Sequence, residues 1–307
     1  MDSANKQTAI VAETVIGTIN ASPAFKLVRD TRVGGAPQRQ RSRSPERRSD
    51  RMASAMVQGL SSYPKSIEMV WARDAALDIL FESVFCGTWA SNVLKNASTK
   101  KTFSLEEKYE GGATDPYRRL AGCISDSMQV SFRNGEAGQI SFSLKALAET
   151  TATAGLGSAT YAVPTPGYDP STPADIVTND LFGVTSPKIM GLNFTMTNNT
   201  RDQHSFGSND PFGIGLGLYD VSGSVQLYFT ALAEYSTFAT PQTGLTLDMT
   251  IGATTNFKDR LVFPNCDVWN PDVDDSGASG DHMVTLNFMA KYNNSDVAAA
   301  KLTRLVA

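Results

Sequence analysis

The chain has 307 residues, 41% hydrophobic and 19% charged, a balance that excludes a disordered protein and allows one large or two ordinary packed domains. Its net charge of −4 hides a segregation: between Arg29 and Arg51 eight arginines meet only Asp30, Glu46 and Asp50, a surplus of five, so the remainder carries about −9. Three cysteines (Cys86, Cys123, Cys266) without CxxC spacing read as reduced, buried thiols and argue against a disulfide framework or a zinc site.

In chain order, residues 1–18 lack the basic patch and apolar run of a secretory signal, and no later stretch approaches the ~20 apolar residues of a membrane helix. The expectation is a protein made and kept soluble in a cytoplasm. The segment from Arg29 to Arg51 reads as a long arginine-rich loop. Ser66 to Trp71 then alternates as a half-buried strand does, and Leu77, Leu80, Phe81 and Val84 make an apolar stripe at helical spacing. Phe103 to Glu107 alternates again, Arg119 to Cys123 follows, and Gln139 to Leu144 closes the block.

Residues 150–186, rich in Thr, Gly and Pro without sustained periodicity, read as an extended linker. Beyond it the first block recurs. Ser224 to Phe229 matches Ser66 to Trp71, and Leu232, Tyr235 and Phe238 form a weaker helical stripe. Leu245 to Met249 matches Phe103 to Glu107. Arg260 to Cys266 matches Arg119 to Cys123 with two residues inserted, and Met283 to Phe288 matches Gln139 to Leu144. Elements in one order with a period near 150 residues indicate a duplicated domain. The reading is mainly β: two tandem antiparallel β-sandwich or barrel domains, 1–149 and 187–307, each with one short packed helix. Paired copies of such a domain suggest sheets that join edge to edge and continue across subunits into a ring.

The candidate sites are few. Clustered guanidiniums at Arg39, Arg41, Arg43, Arg47 and Arg48 fit contact with another subunit, a solvated loop, or nucleic-acid binding, although no aromatic interleaves the run from Arg29 to Arg51 to stack a base. Asp272, Asp274 and Asp275 start like a calcium loop, but Met283 stands where a bidentate Glu would be needed, so a solvated acidic hairpin tip is the better reading. Gly213 to Gly217 lacks the spacing of a phosphate cradle and reads as a glycine-rich strand approach. His204 and His282 have no recognisable catalytic context, and neither GxSxG nor HExxH occurs. No catalytic residue, cofactor or metal is assigned. A surface or carbohydrate-binding β-sandwich module stands as the alternative class.

Several segments carry a family resemblance: Phe25 to Arg29, Pro45 to Arg51, Asn92 to Asn96, Lys101 to Tyr109, Tyr117 to Gly122, Leu192 to Arg201 and Gly223 to Phe229. In order and spacing, from Ala24 to Tyr292, they resemble the major tail tube proteins of siphophages, whose tails are long and non-contractile. The resemblance implies a tube fold shared with contractile tails and type VI secretion tubes, in which sheets of neighbouring domains form a β-lined ring and a long loop reaches the next ring. It implies a virion tail protein assembled in the host bacterial cytoplasm, with itself, tape measure, terminator and distal tail proteins as partners, and DNA passing through without specific binding. Two domains per chain lead to the expectation of a trimeric, pseudo-hexameric ring. A neutral or negative lumen is expected, with inter-ring contacts between Arg39, Arg41, Arg43, Arg47, Arg48 and Asp272, Asp274, Asp275.

Overall fold

A computed structural model describes residues 5–52, 55–110, 114–164, 173–252, 257–275 and 280–305. Among them are twenty strands and two α-helices. The first part comprises β1 (Lys6–Ala12), β2 (Ala24–Leu27), β3 (Asp30–Gly34), β4 (Gln38–Arg43), β5 (Met56–Val70), α1 (Ala75–Phe85), β6 (Val93–Lys95), β7 (Phe103–Tyr109), β8 (Tyr117–Arg133), β9 (Gln139–Ala146) and β10 (Ala148–Ala152). Then follow β11 (Thr160–Ala162), β12 (Ile176–Leu181), β13 (Ile189–Thr197), β14 (Arg201–Gln203), β15 (Gly213–Gly215) and β16 (Asp220–Tyr228). The chain closes with α2 (Ala233–Ser236), β17 (Gln242–Ile251), β18 (Lys258–Asp275), β19 (His282–Ala290) and β20 (Lys301–Leu305).

The same antiparallel pairings occur twice. In the first part β3 pairs with β5, β5 with β9, β9 with β8, β8 with β7 and β10, and β7 with β1. In the second part β13, β16, β19, β18, β17, β20 and β12 repeat this scheme in corresponding places. Registers repeat too. Ile67 faces Phe142 as Val225 faces Leu286, and β3 and β13 each carry an irregularity, between Asp30 and Arg32 and between Ile189 and Gly191.

Cys123 opposite Phe103 corresponds to Cys266 opposite Leu245, and Leu120 opposite Leu105 to Phe263 opposite Leu247. Leu120 and Phe263 therefore stand equally far from their cysteines, and the two-residue insertion expected before Cys266 is absent from the pairing. Arg260 still reaches Asp248 as Arg119 reaches Glu106, because a guanidinium spans a diagonal cross-strand neighbour.

Long strands make two layers out of this scheme. β8 and β18 each pair by their first half with β7 or β17 and by their second half with β9 or β19, so each passes from one layer into the other. Alternation decides which side is core: Ile67, Phe142, Val130, Phe194, Val225 and Leu286 are buried, and their strand neighbours point away. Gly223 lies on the core side of β16, where a Cβ would meet the Phe288 ring and the Asn193 carbonyl. Its lack of a side chain is a packing requirement.

The helices differ. In α1, Leu77, Leu80, Phe81 and Val84 are all at most 2% exposed, and Cys86 in the left-handed region ends the helix. In α2 only Phe238 of the expected stripe is buried; Leu232 and Tyr235 are 71% and 38% exposed, because a four-residue helix turns too little of its surface to the sheet. The stretch 150–186 carries β11 and β12, the latter on β17 as β1 lies on β7. The arginine-rich segment is a β-hairpin, with β4 paired to the start of β5.

Among the described residues two antiparallel seams join the parts, and β11 adds in parallel to β2. β8 pairs with β13 over seven residue pairs, and β20 pairs with β6. Arg304 binds Asp78 of α1 and lies 3.6 Å over the Trp89 ring, while buried Asn198 donates to the Val84 and Ser125 carbonyls. Beneath the second seam lies Asp259, 3% exposed, whose carboxyl is pushed up to about 7 by burial, against the opposing pull of Arg73 and Arg304 and a Trp71 hydrogen bond. Between about pH 4 and pH 7 the native chain thus holds a proton that the unfolded chain has released, so this group costs stability as pH rises through that window. Asp259→Asn is expected to be more stable than wild type at pH 8, by roughly 1–3 kcal/mol. The gap should close towards pH 4 in urea titrations at several pH values; an equal effect at every pH would assign the change to packing alone.

Candidate functional site

The polar side of the joined sheet carries a broad concavity. Because β8 pairs with β13, the strands β3, β5, β9, β8, β13, β16, β19 and the second half of β18 form one continuous sheet. Its outward positions are mostly polar and uncharged, with Ser127, Gln129 and Ser131 on β8, Ser141 and Ser143 on β9, Asn193, Thr195 and Thr197 on β13, and Ser222, Ser224 and Gln226 on β16, interrupted by Glu68 on β5, Arg133 on β8 and Met289 on β19. A concavity of about 830 Å³ runs along this face from Glu68 to Trp269, and Glu68 is the one charged residue among the described residues lining it. A sheet whose one side hollows across seven strands is curved, as twist and the bends of β8 and β18 require.

Both ends of this sheet are open. Among the described residues β3 pairs only with β5, and β18 beyond Val268 pairs only with β19. Such edges carry unpaired backbone donors and acceptors and are ready to take another strand. Arg32, on the β3 edge, lies with its side chain 75% exposed, 3.7 Å from Glu68.

An arm projects from the sheet. β5 is 15 residues long, but β9 covers only Tyr63 to Val70; its first part pairs with β4 alone. All six residues of β4 are exposed, as are Met56 and Val57. The base is held by a Ser61 amide donating to the Asn209 carbonyl and by the Tyr63 hydroxyl donating to Asp210 at 2.7 Å. Antiparallel registers fix the direction: Tyr63, Ala146, Ser127, Thr197, Val221, Ala290 and Cys266 lie towards the arm end. The last residues of β8 and β18 lie at the opposite end.

The structure therefore places the residues singled out from sequence as follows. Arg39, Arg41 and Arg43 lie on β4, and Arg47 and Arg48 beyond it, all exposed; Arg48 pairs with Asp50 at 2.9 Å. Asp272 and Asp274 are exposed on β18, and Asp275 faces His282 across the β18–β19 ladder. Within one chain the arginines and these aspartates stand at opposite ends of the sheet and do not meet. Gly213 to Gly215 is strand β15 in a hairpin with β14.

The three thiols are buried, and desolvation raises all of them, Cys86 to about 11 and Cys266 to about 12. No group of His, Cys, Asp or Glu among the described residues could hold a metal ion, and no helix there is long and apolar enough to cross a membrane. The largely uncharged polar face was missed in sequence reasoning. Its signal was present in alternating strands whose outward positions are Ser, Thr, Asn and Gln where Lys and Glu would be usual.

A family model described as phage tail tube protein matches residues 3–290, nearly the whole chain. No curated protein matches it.

Since β4 is exposed on both faces, its arginines should contribute little to folding of the single chain. Joint replacement of Arg39, Arg41, Arg43, Arg47 and Arg48 by Ser should change unfolding free energy by no more than about 1 kcal/mol. Circular dichroism melts of the unassembled chain check this; loss of folding would show that the arm is part of the core.

Proposed function

Because the chain belongs to the phage tail tube protein family, we propose that it is the major tube subunit of a long, non-contractile siphophage tail. Three copies close into a pseudo-hexameric ring, and stacked rings form the conduit through which DNA is delivered. Two tandem tube domains make up the chain, 1–149 and 187–307, joined by the linker 150–186 that contributes β12 to the sheet of the second.

One observation carries this reading. The chain already contains one edge-to-edge junction, β8 to β13, and it leaves open the two edges that correspond to those strands, β18 and β3. Each copy can thus offer to the next the junction it makes inside itself. Three copies provide six repeats of the sheet, and identical heterologous contacts that rotate by a fixed angle close into a ring.

In that ring the curved polar face lines the lumen. A wall mainly of Ser, Thr, Asn and Gln, with Glu68 and Arg133 as isolated charges, gives DNA phosphates no row of cations to bind, so passage is not slowed by salt-dependent adhesion. The arm carries the stacking contact. It leaves one end of the sheet, the aspartates 272, 274 and 275 stand at the other, and copies stacked head to tail bring Arg39, Arg41, Arg43, Arg47 and Arg48 towards carboxylates of the next ring. Each exposed pair is worth only about 0–1 kcal/mol, but the contact recurs in every subunit and every ring. Tape measure, terminator and distal tail proteins are the expected partners, and assembly takes place in the host cytoplasm before the subunit enters the virion.

Mass measurement of isolated rings, or counting in electron micrographs, should give three chains per ring; six would refute the duplicated-domain ring. Polymerisation followed by light scattering should fall with added salt. The five-arginine variant should give rings that fail to stack, and normal tubes with unchanged salt response would show that the arm is not the stacking element.

A further inference from the structure

The junction inside the chain carries a single charge on its polar face, Arg133 at the end of β8 opposite Gly191. Ser131 faces Asn193, Gln129 faces Thr195 and Ser127 faces Thr197. The two open edges are different. β18 presents Asp272 and Asp274, both exposed and without an ion-pair partner among the described residues, while β3 presents Arg32. Repetition of the pairing scheme tells where these charges would fall.

Val130 faces Ile140 as Val273 faces Val284, and Gln129 faces Ser141 as Asp272 faces Thr285, so Asp274 holds the place of Ser131. Val33 faces Ile67 as Leu192 faces Val225, and Gly34 faces Ser66 as Asn193 faces Ser224, so Gly34 holds the place of Asn193. A ring junction built like the internal one therefore sets Asp274 of one copy opposite Gly34 of the next. Arg32 lies two residues from Gly34 on the same polar side, the diagonal neighbour that a long side chain reaches. Glu68 is already beside it.

We infer that Arg32 of one copy pairs with Asp274 of the neighbouring copy and locks the ring junction, an inference that rests on the ring reading above. The lock has a task that backbone pairing cannot do. Hydrogen bonds along a β-edge do not distinguish one strand from another, and β18 could pair with β18, or β3 with β3, of a second copy. Two β18 edges would face Asp272 and Asp274 with the same acids, and two β3 edges would set Arg32 near Arg32. Only β3 on β18 brings opposite signs together, and only that pairing is heterologous and closes a ring.

The lock also supports a short ladder. Gly35, at φ 104, turns the chain out of the strand immediately after Gly34, so β3 offers fewer backbone partners than β13, which continues to Thr197. A charge-assisted pair compensates for what the shorter ladder lacks. The acidic end of β18 then serves two contacts, Asp274 within the ring and the strand tip towards the next ring.

The test uses the full chain with Arg32→Asp, Asp274→Arg and both together, followed by analytical ultracentrifugation and electron microscopy. Each single variant should stay folded by circular dichroism yet need at least about tenfold more protein to form rings. The double variant, with the charges exchanged, should return to within about threefold of wild type. Single variants that assemble like wild type, or a folded double variant with no recovery, would overturn the lock while three chains per wild-type ring would still uphold the ring. Rings of six chains would instead overturn the ring reading itself.

Discussion

An open β-sheet leaves a row of backbone N–H and C=O groups at each edge, and burying or pairing them is the constraint around which this chain is arranged. Inside the chain the constraint is met by joining the two repeats through β8 and β13, and it is passed outward at β3 and β18. Curvature follows from the same source. Long strands that bend from one layer into the other wind the joined sheet, and the polar side becomes hollow. In a family whose members build tail tubes, an edge that would be an aggregation hazard for a monomer is the natural place for assembly.

The two sets of strands share pairings but differ where they meet different surroundings. In the first, Glu107 is buried with Lys65 at 2.5 Å and Lys6 at 2.6 Å, and these cations outweigh desolvation and hold its carboxyl below the usual range. The corresponding residue of the second repeat is Met249, opposite Thr178 as Glu107 is opposite Thr8. An apolar side chain packs without a partner, whereas the buried ions depend on good geometry to offset their desolvation. Only the first repeat extends its β5 into an arm, while the matching connection of the second folds into the short hairpin β14–β15. Differences of this kind let one chain offer two unlike ends from a repeated framework.

Charge is distributed with the same economy. The polar face of the sheet is nearly neutral, the arm is strongly basic, and acids gather at the far end of β18. Exposed charges act weakly at each site and fade beyond a Debye length of about 8–10 Å in physiological salt. Their effect is therefore on orientation and partner choice, while hydrophobic burial between the layers, from Phe194 against Phe263 to Trp71 against Phe132, holds the fold itself.

Local pattern alone determined the mainly β class, the positions of the strands around Ile67, Leu105, Phe142, Val225, Leu247 and Leu286, the helix α1, and the burial of all three cysteines. The thiols were read from their number and lack of CxxC spacing; the strands and the helix depend on alternation or helical spacing of apolar residues, which a short window of sequence records. The correspondence of Cys123 with Cys266 was legible for the same reason. The tertiary structure alone decided the register of the repeat before Cys266, the strands β11 and β12 within a stretch without periodicity, and the two-stranded form of the arginine-rich segment. It also decided that the arm and the acids of β18 lie at opposite ends. None of these is local: pairing partners are chosen across 58 to 75 residues in β8–β13 and β12–β17, and a strand held by a distant ladder need not show alternation of its own. The largely uncharged polar face belongs to both accounts, because its residues were spelled out in every strand, but only the joining of β8 to β13 turned them into one surface.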